Sequence, residues 1–136
     1  MPRKKINRRL LAPPLIKGLM ILGPKNRTEQ IFLHFEEFEA IKLLDYNNLT
    51  QEEAAACMDV SRPTLTRIYE SARDKVARCL VEGKDMMIKG GKFGFDDNWQ
   101  YCETCQSRFT LYSKSNQVCP VCSSKEIIPL NDFYKE

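Results

Sequence analysis

The stretch "LTQEEAAACMDVSRPTLTRIYE", Leu49 to Glu70, decides how the first half of this 136-residue chain is interpreted. Thr50 is followed three residues later by Glu53, which is the pattern of a capping box, so a helix is predicted to begin directly after Thr50. A proline is tolerated at the first position of a helix, because the first-turn amides have no partner in the helix. Pro63 therefore predicts that a second helix begins there, with Arg62 as its cap residue.

The residues between and inside these two segments predict how the helices pack. Asp59 lies in the turn, which needs a left-handed backbone, and Asp adopts that conformation more readily than most residues. Ala54 and Ala55 fall where the helices cross and where only small side chains fit. Four apolar residues are predicted to point inward: Met58, Val60, Leu65 and Ile68. This position-by-position agreement favours a helix-turn-helix motif over an ordinary helical hairpin.

The polar residues left on the outer face predict contact with double-stranded DNA. A recognition helix over about 62–82 would lie in the major groove with its N-terminal residues nearest the base edges. Arg62 and Arg67 can each present a fork of donors to guanine. The candidate DNA-contacting residues in this part are Gln51, Ser61, Arg62, Thr64, Thr66 and Arg67.

Charge is distributed unevenly and adds a basic arm to this picture. Residues 1–27 carry eight Lys or Arg and no acid, whereas residues 28–60 carry eight acids and one Lys. Residues 1–30 contain several Pro and Gly and are predicted to be an irregular basic arm. Its basic side chains would follow the minor groove or the phosphates and add affinity more than specificity. The candidate arm contacts are Arg3, Lys4, Lys5, Arg8 and Arg9.

Residues 31–92 are predicted to form the DNA-binding domain, which makes the fold class mainly α. In "FEEFEAIKLLDYNNL" the apolar residues Phe35, Phe38, Ile41 and Leu44 share one face, which places Glu36, Glu37 and Glu39 outside. The last helix keeps one apolar stripe from Leu65 to Leu80 and is predicted to end at Gly83, a suitable C-cap.

A separate metal-binding module is predicted over residues 99–136, after a linker at 93–98. Two CxxC hooks thirteen residues apart, "CETC" and "CPVC", supply Cys102, Cys105, Cys119 and Cys122. Four thiolates in this order are typical of a small β-type zinc ribbon that holds one Zn²⁺. A rubredoxin-like iron site is the alternative, although such sites usually have glycine after each hook, where this chain has Gln106 and Ser123.

The chain resembles the small prokaryotic proteins grouped as domain-of-unknown-function family 134, also called uncharacterised protein family 0251. The resemblance covers about residues 1–92 and rests on the "MPR" start with its basic run, on "FEEFEAIKLLDYNNLTQEEAAACMDVSRPTLTRIYESARDKVARCLVEGK" and on the closing "IKGG". It implies a DNA-binding regulator with a helix-turn-helix similar to region four of sigma factors. Two residues depart from the family pattern: His34 replaces a capping Thr, and Asp59 replaces a turn Gly.

These observations predict a transcriptional regulator without enzymatic activity. No signal peptide or membrane span is expected, and paired CxxC motifs without a secretory signal favour a reducing cytoplasm. Double-stranded DNA is the expected partner, with RNA polymerase as a further partner if the chain acts as a sigma-like factor, and a homodimer is possible on paired half-sites. An iron-based electron carrier or redox sensor is the alternative of a different class.

Overall fold

The structure is a computed structural model that describes residues 7–24, 29–112 and 116–135. The chain divides into two compact units, Met1–Phe93 and Gly94–Glu136. Within the described ranges, no helix combines the length and the apolar character that crossing a bilayer requires.

The first unit contains the longer helices. Helix α1 covers Phe35–Ile41 and continues into a π-helical turn at Lys42–Tyr46; α2 covers Gln51–Cys57 and α3 covers Arg62–Glu82. A short helix α4, Leu130–Phe133, belongs to the second unit. The strands are β1 Arg8–Leu10, β2 Gly18–Leu19, β3 Ile31–Leu33, β4 Met86–Ile88, β5 Phe93–Phe95, β6 Trp99–Cys102, β7 Arg108–Thr110 and β8 Ile127–Pro129.

The described strands form three small sheets, and they make the fold a mixed α and β one. Their orders are β1-β5, β2-β4-β3 and β7-β6-β8. In the second sheet β4 runs parallel to β3 and antiparallel to β2. The prediction of a mainly α protein with a sigma-region-four-like helix-turn-helix domain is therefore wrong. Strands of two to four residues are too short to show an alternating pattern, and their partners are distant in sequence.

The helix-end predictions around α2 and α3 are confirmed except for one. Thr50 Oγ1 accepts a hydrogen bond from the Glu53 amide, and a Glu53 carboxylate oxygen accepts one from the Thr50 amide, each at 3.1 Å. Gly83 caps α3 with a φ of 66°. The predicted cap at Arg62 is wrong, because Ser61 has the extended backbone and accepts from the Thr64 amide, so that α3 begins at Arg62.

The core beneath α2 and α3 contains the small and apolar residues that the sequence indicated. Ala54, Ala55, Met58, Leu65 and Ile68 form one buried cluster, together with Ala40 and Leu43. Asp59, in the connecting turn, has the predicted left-handed backbone, with a φ of 54°. The apolar stripe of α3 ends earlier than predicted, because Leu80 is exposed.

The acidic face of α1 is the largest error in the prediction, because Glu36, Glu37 and Glu39 are all buried. Glu37 accepts hydrogen bonds from Lys75 Nζ at 2.6 Å and from the Ser71 hydroxyl of α3. Glu39 accepts from the Leu11 amide at 3.0 Å. These partners lie far away in the sequence, and helical periodicity takes no account of them. The pattern of α1 therefore predicted that the carboxylates face solvent.

Glu36 also explains why glycine stands at position 91. The Glu36 carboxylate accepts a hydrogen bond from the Lys92 amide at 3.0 Å. Gly91 has a φ of 99°, and a Cβ atom there would lie 1.9 Å from Glu36 Oε1. Only glycine allows the backbone after β4 to pass this close to a buried carboxylate.

Candidate metal centre and candidate nucleic-acid interface

The four cysteines of the second unit lie on two turns of the same design. Cys102 ends β6, and its hook closes where the Gln106 amide donates to the Cys102 carbonyl at 2.8 Å. In the other hook the Ser123 amide donates to the Cys119 carbonyl at 2.9 Å. Gln106 and Ser123, the residues after the hooks, both have left-handed backbones. Each turn therefore holds the sulfurs of its two cysteines on the same side of the turn.

The sulfur positions fit a single tetrahedral metal ion. All four Sγ atoms lie within 4.8 Å of one another, and the Cys102–Cys122 and Cys105–Cys119 pairs are each 3.6 Å apart. A tetrahedron with Zn–S bonds of about 2.3 Å has edges of about 3.8 Å. The donor set therefore suits a metal site with four cysteine ligands, as the spacing predicted.

Two of the thiols, Cys105 and Cys122, have pKa values shifted in opposite directions. Hydrogen bonds from Ser107 lower the pKa of Cys105 to about 6. A backbone hydrogen bond from Ser124 favours the Cys122 thiolate, but desolvation and the three other thiols outweigh it and raise the pKa of Cys122 to about 12. Four thiolates so close together repel one another, and a divalent cation removes that repulsion.

An aromatic cluster that no pattern in the sequence indicated lies beside β6, the strand that ends at Cys102. The rings of Tyr101 and Phe133 stack with centroids 3.8 Å apart. The Arg108 guanidinium lies 5.5 Å from the Phe133 ring and 5.9 Å from the Tyr101 ring. Tyr101 belongs to β6, which pairs with both β7 and β8 and also carries Cys102. Stacking of Tyr101 in the cluster therefore helps to hold the strand that carries Cys102 in place.

The predicted DNA-contacting residues of the first unit converge on the start of α3. Ser61 Oγ donates to Thr64 Oγ1 at 2.9 Å, and Arg67 donates to the same oxygen at 3.3 Å. From α2, Gln51 Oε1 accepts from Thr66 Oγ1 at 3.0 Å. Thr64 and Thr66 are half-buried, whereas Ser61, Arg62 and Arg67 are exposed. All six predicted residues therefore lie on one polar surface.

Arg62 connects this surface to an acidic residue of α2, Glu52. Arg62 Nε donates to Gln51 Oε1 at 3.5 Å, and an Arg62 terminal nitrogen lies 3.4 Å from a Glu52 carboxylate oxygen. Both charged side chains are mostly exposed, so the ion pair is weak. Glu52 therefore positions Arg62 without holding it firmly.

The basic arm is only partly described, and its described part contains two short strands, β1 and β2. Arg3, Lys4 and Lys5 lie outside the described residues. Arg8 and Arg9 belong to β1, so the prediction of an irregular arm is wrong at these positions. The Arg9 amide donates to the Met58 carbonyl at 3.0 Å, which places β1 beside the turn between α2 and α3.

Comparisons with known proteins identify relatives along most of the chain. The family model described as "Protein of unknown function DUF134" matches residues 1–96. A UPF0251 protein from Chloroherpeton thalassium is 36% identical over 98% of this chain and 90% of its own length. Another, from Moorella thermoacetica, is 39% identical over 93% of this chain and 86% of its own length. No solved structure matches the chain.

Proposed function

The chain belongs to the DUF134 family, whose description assigns no activity, and from its surface chemistry we propose that it binds double-stranded DNA as a transcriptional regulator. The observation that carries this proposal is the convergence of six polar side chains at the start of α3. Gln51, Ser61, Thr64 and Thr66 surround two exposed arginines there. Hydroxyls, amides and guanidinium groups are the side chains that bind base edges and phosphates.

The shape of this surface supports entry into the major groove. Helix α3 is 21 residues long, and its first turns are exposed on the side away from the core cluster. A single helix fits the width of the major groove, and the side chains at its N-terminal end then reach the base edges. Arg67 and Arg62 would bind guanines or phosphates. Arg62 would then break its ion pair with Glu52 and bind the DNA instead.

Burial of acidic residues makes the surface more favourable to DNA than the sequence indicates. Residues 28–60 contain eight acids, but Glu36, Glu37 and Glu39 are withdrawn from the surface. The charge of Glu37 is also compensated by Lys75. The basic residues of β1 lie beside the turn that leads into α3, where they add positive potential without competing for the bases.

DNA binding is tested by measuring affinity for duplexes selected from a random pool, over a range of salt concentrations. Arg67→Ala is expected to weaken binding to the selected sequence about tenfold and to reduce discrimination at one base pair. Arg73→Ala is the matched control, because Arg73 is exposed on the same helix and lies over the Tyr69 ring. If Arg67→Ala changed neither affinity nor sequence preference, the proposed interface would be wrong.

For the metal site we propose one structural Zn²⁺ held by Cys102, Cys105, Cys119 and Cys122. All four ligand positions are filled by protein, which is typical of structural zinc and leaves no position for a substrate. Purified protein is expected to be colourless and to contain about one zinc ion per chain. Cys119→Ser should lose the metal, whereas Cys57→Ser should retain it. A red protein with thiolate-to-iron absorption would instead support the electron-carrier alternative.

A further inference from the structure

The end of α3 and the segment around β2 expose large apolar side chains for which the DNA-binding proposal gives no role. The exposed fractions are 56% for Leu19, 76% for Met20, 100% for Leu22, 80% for Leu80 and 85% for Val81. We call these five residues the β2–α3 face.

The five residues belong to neighbouring parts of the first unit. The Ile21 amide donates to Asp85 at 2.8 Å, and Leu19 pairs with Met86 across β2 and β4. Residues 19–21 therefore run along residues 85 and 86, just beyond the last turn of α3. A Cβ atom on Gly83, the C-cap of α3, would lie 3.8 Å from Ile21 Cδ1. Chain connectivity thus keeps Leu80 and Val81 close to this segment.

We propose that the β2–α3 face binds a second copy of this chain and forms a homodimer. The area of the face is close to that of one side of a stable interface. With ordinary residue areas, the five exposed fractions amount to on the order of 700 Å² per chain, compared with about 800 Å² per partner in a stable interface. Monomeric proteins rarely expose an apolar patch of this size. Packing this patch against the same patch of a second chain would remove all of it from water.

The charged groups around the face are of both signs and largely pair with one another. Lys84 lies 3.1 Å from Glu29 and 2.9 Å from Glu82, and Arg78 lies 3.2 Å from Glu82. In a two-fold interface each group meets a surface identical to its own, so a rim of one sign would repel itself. A balanced rim favours a second copy over DNA or a strongly charged protein.

The face also leaves the proposed DNA surface free. Leu80 and Val81 are in the last turn of α3, whereas Ser61 and Arg62 mark its start. At 1.5 Å per residue, the two ends of the helix are about 29 Å apart. A dimer formed through the β2–α3 face therefore presents two DNA surfaces, as binding to paired half-sites requires. The dimer itself does not depend on DNA binding.

Sedimentation velocity of the full-length, metal-loaded protein without DNA tests this proposal. The wild type is expected to dimerise with a dissociation constant of about 10 µM or tighter. Met20→Glu and Leu80→Glu should each raise that constant at least about tenfold, because a two-fold interface contains every substitution twice. Mixing Leu80→Glu with Leu80→Lys chains should restore part of the association.

Two control variants separate this interface from a general effect of added charge. Tyr46→Glu and Tyr112→Glu place an acid at exposed apolar positions outside the β2–α3 face and should leave the dimer unchanged. A wild type that remains monomeric at about 100 µM would overturn the proposal. So would a dimer that tolerates Met20→Glu and Leu80→Glu, or one that the two controls disrupt equally. None of these results bears on the Arg67→Ala test.

Discussion

Gln106 and Ser123 occupy equivalent positions in the two metal-binding turns, and their φ angles are 65° and 64°. Each follows the second cysteine of a hook, and each donates its amide to the carbonyl of the first. The turns therefore keep a left-handed backbone although neither has glycine there. For a residue other than Gly, that conformation costs about 1 kcal/mol or more in conformational energy.

Gln106→Gly and Ser123→Gly should each stabilise the second unit by about 0.5 to 1 kcal/mol, because glycine removes the steric cost at a positive φ. Thermal unfolding of the zinc-loaded protein measures the change. Lys125→Gly is the control: Lys125 is exposed and its φ is not positive, so glycine should destabilise the unit there. Equal destabilisation at all three positions would contradict the assigned strain.

Glu37→Gln should lower the free energy of unfolding by about 3 kcal/mol near pH 7, since it leaves Lys75 without its partner in a largely buried position. Burial opposes ionisation of Glu37, but hydrogen bonds from Lys75, Ser71 and His34 outweigh it and lower its pKa from the ordinary value of a glutamate. A carboxyl with a lowered folded pKa stabilises the fold above its unfolded pKa and loses that contribution as the pH falls through the folded value.

Denaturant titrations between about pH 7 and pH 3 test this assignment. The wild type should lose stability below about pH 4.5, and Glu37→Gln should show a shallower decline over the same range. Glu70→Gln is the control, because Glu70 is exposed on α3. Parallel pH profiles for the wild type and Glu37→Gln would show that Glu37 does not cause the acid sensitivity.

Ala54→Leu should destabilise the first unit by about 1 to 3 kcal/mol, because Ala54 is fully buried where α2 packs on α3 and the larger side chain would not fit. Ala56→Leu, two residues away on the exposed side of α2, should change stability by less than about 0.5 kcal/mol. Chemical denaturation of both variants gives the comparison. Similar costs at the two positions would argue against close packing at Ala54.

Replacing Arg3, Lys4 and Lys5 by Gln should weaken DNA binding on every sequence. The slope of the logarithm of affinity against that of salt concentration should become shallower by about 2 to 3 if, as proposed, each of the three basic side chains makes one phosphate contact. Arg8 and Arg9 are left in place, since they belong to β1. A change in sequence preference with an unchanged slope would mean that the arm reads bases instead.

Many of the features predicted correctly depend on neighbours in the sequence. The capping box of Thr50 and Glu53, the C-cap at Gly83 and the two CxxC hooks each involve residues within a few positions of one another. The burial of the α1 glutamates cannot be predicted in this way, because their partners come from other elements up to 56 residues away. The cap residue was predicted wrongly for a different reason. Proline is favoured at the first helical position, whereas Pro63 is the second residue of α3, so that Ser61 is the cap.

Strand β4 has a consequence for the order in which the first unit is made. Its residues pair with β2 and β3, which the ribosome synthesises more than fifty residues earlier. The three helices of this unit precede β4 in the chain, so they emerge while both earlier strands still lack their common neighbour. Contacts this distant in sequence form slowly. We expect a nascent chain that stops at Glu82 to keep its helices but to display the unpaired edges of β2 and β3, which makes β4 a late piece of this unit, followed only by the short segment that closes onto Glu36.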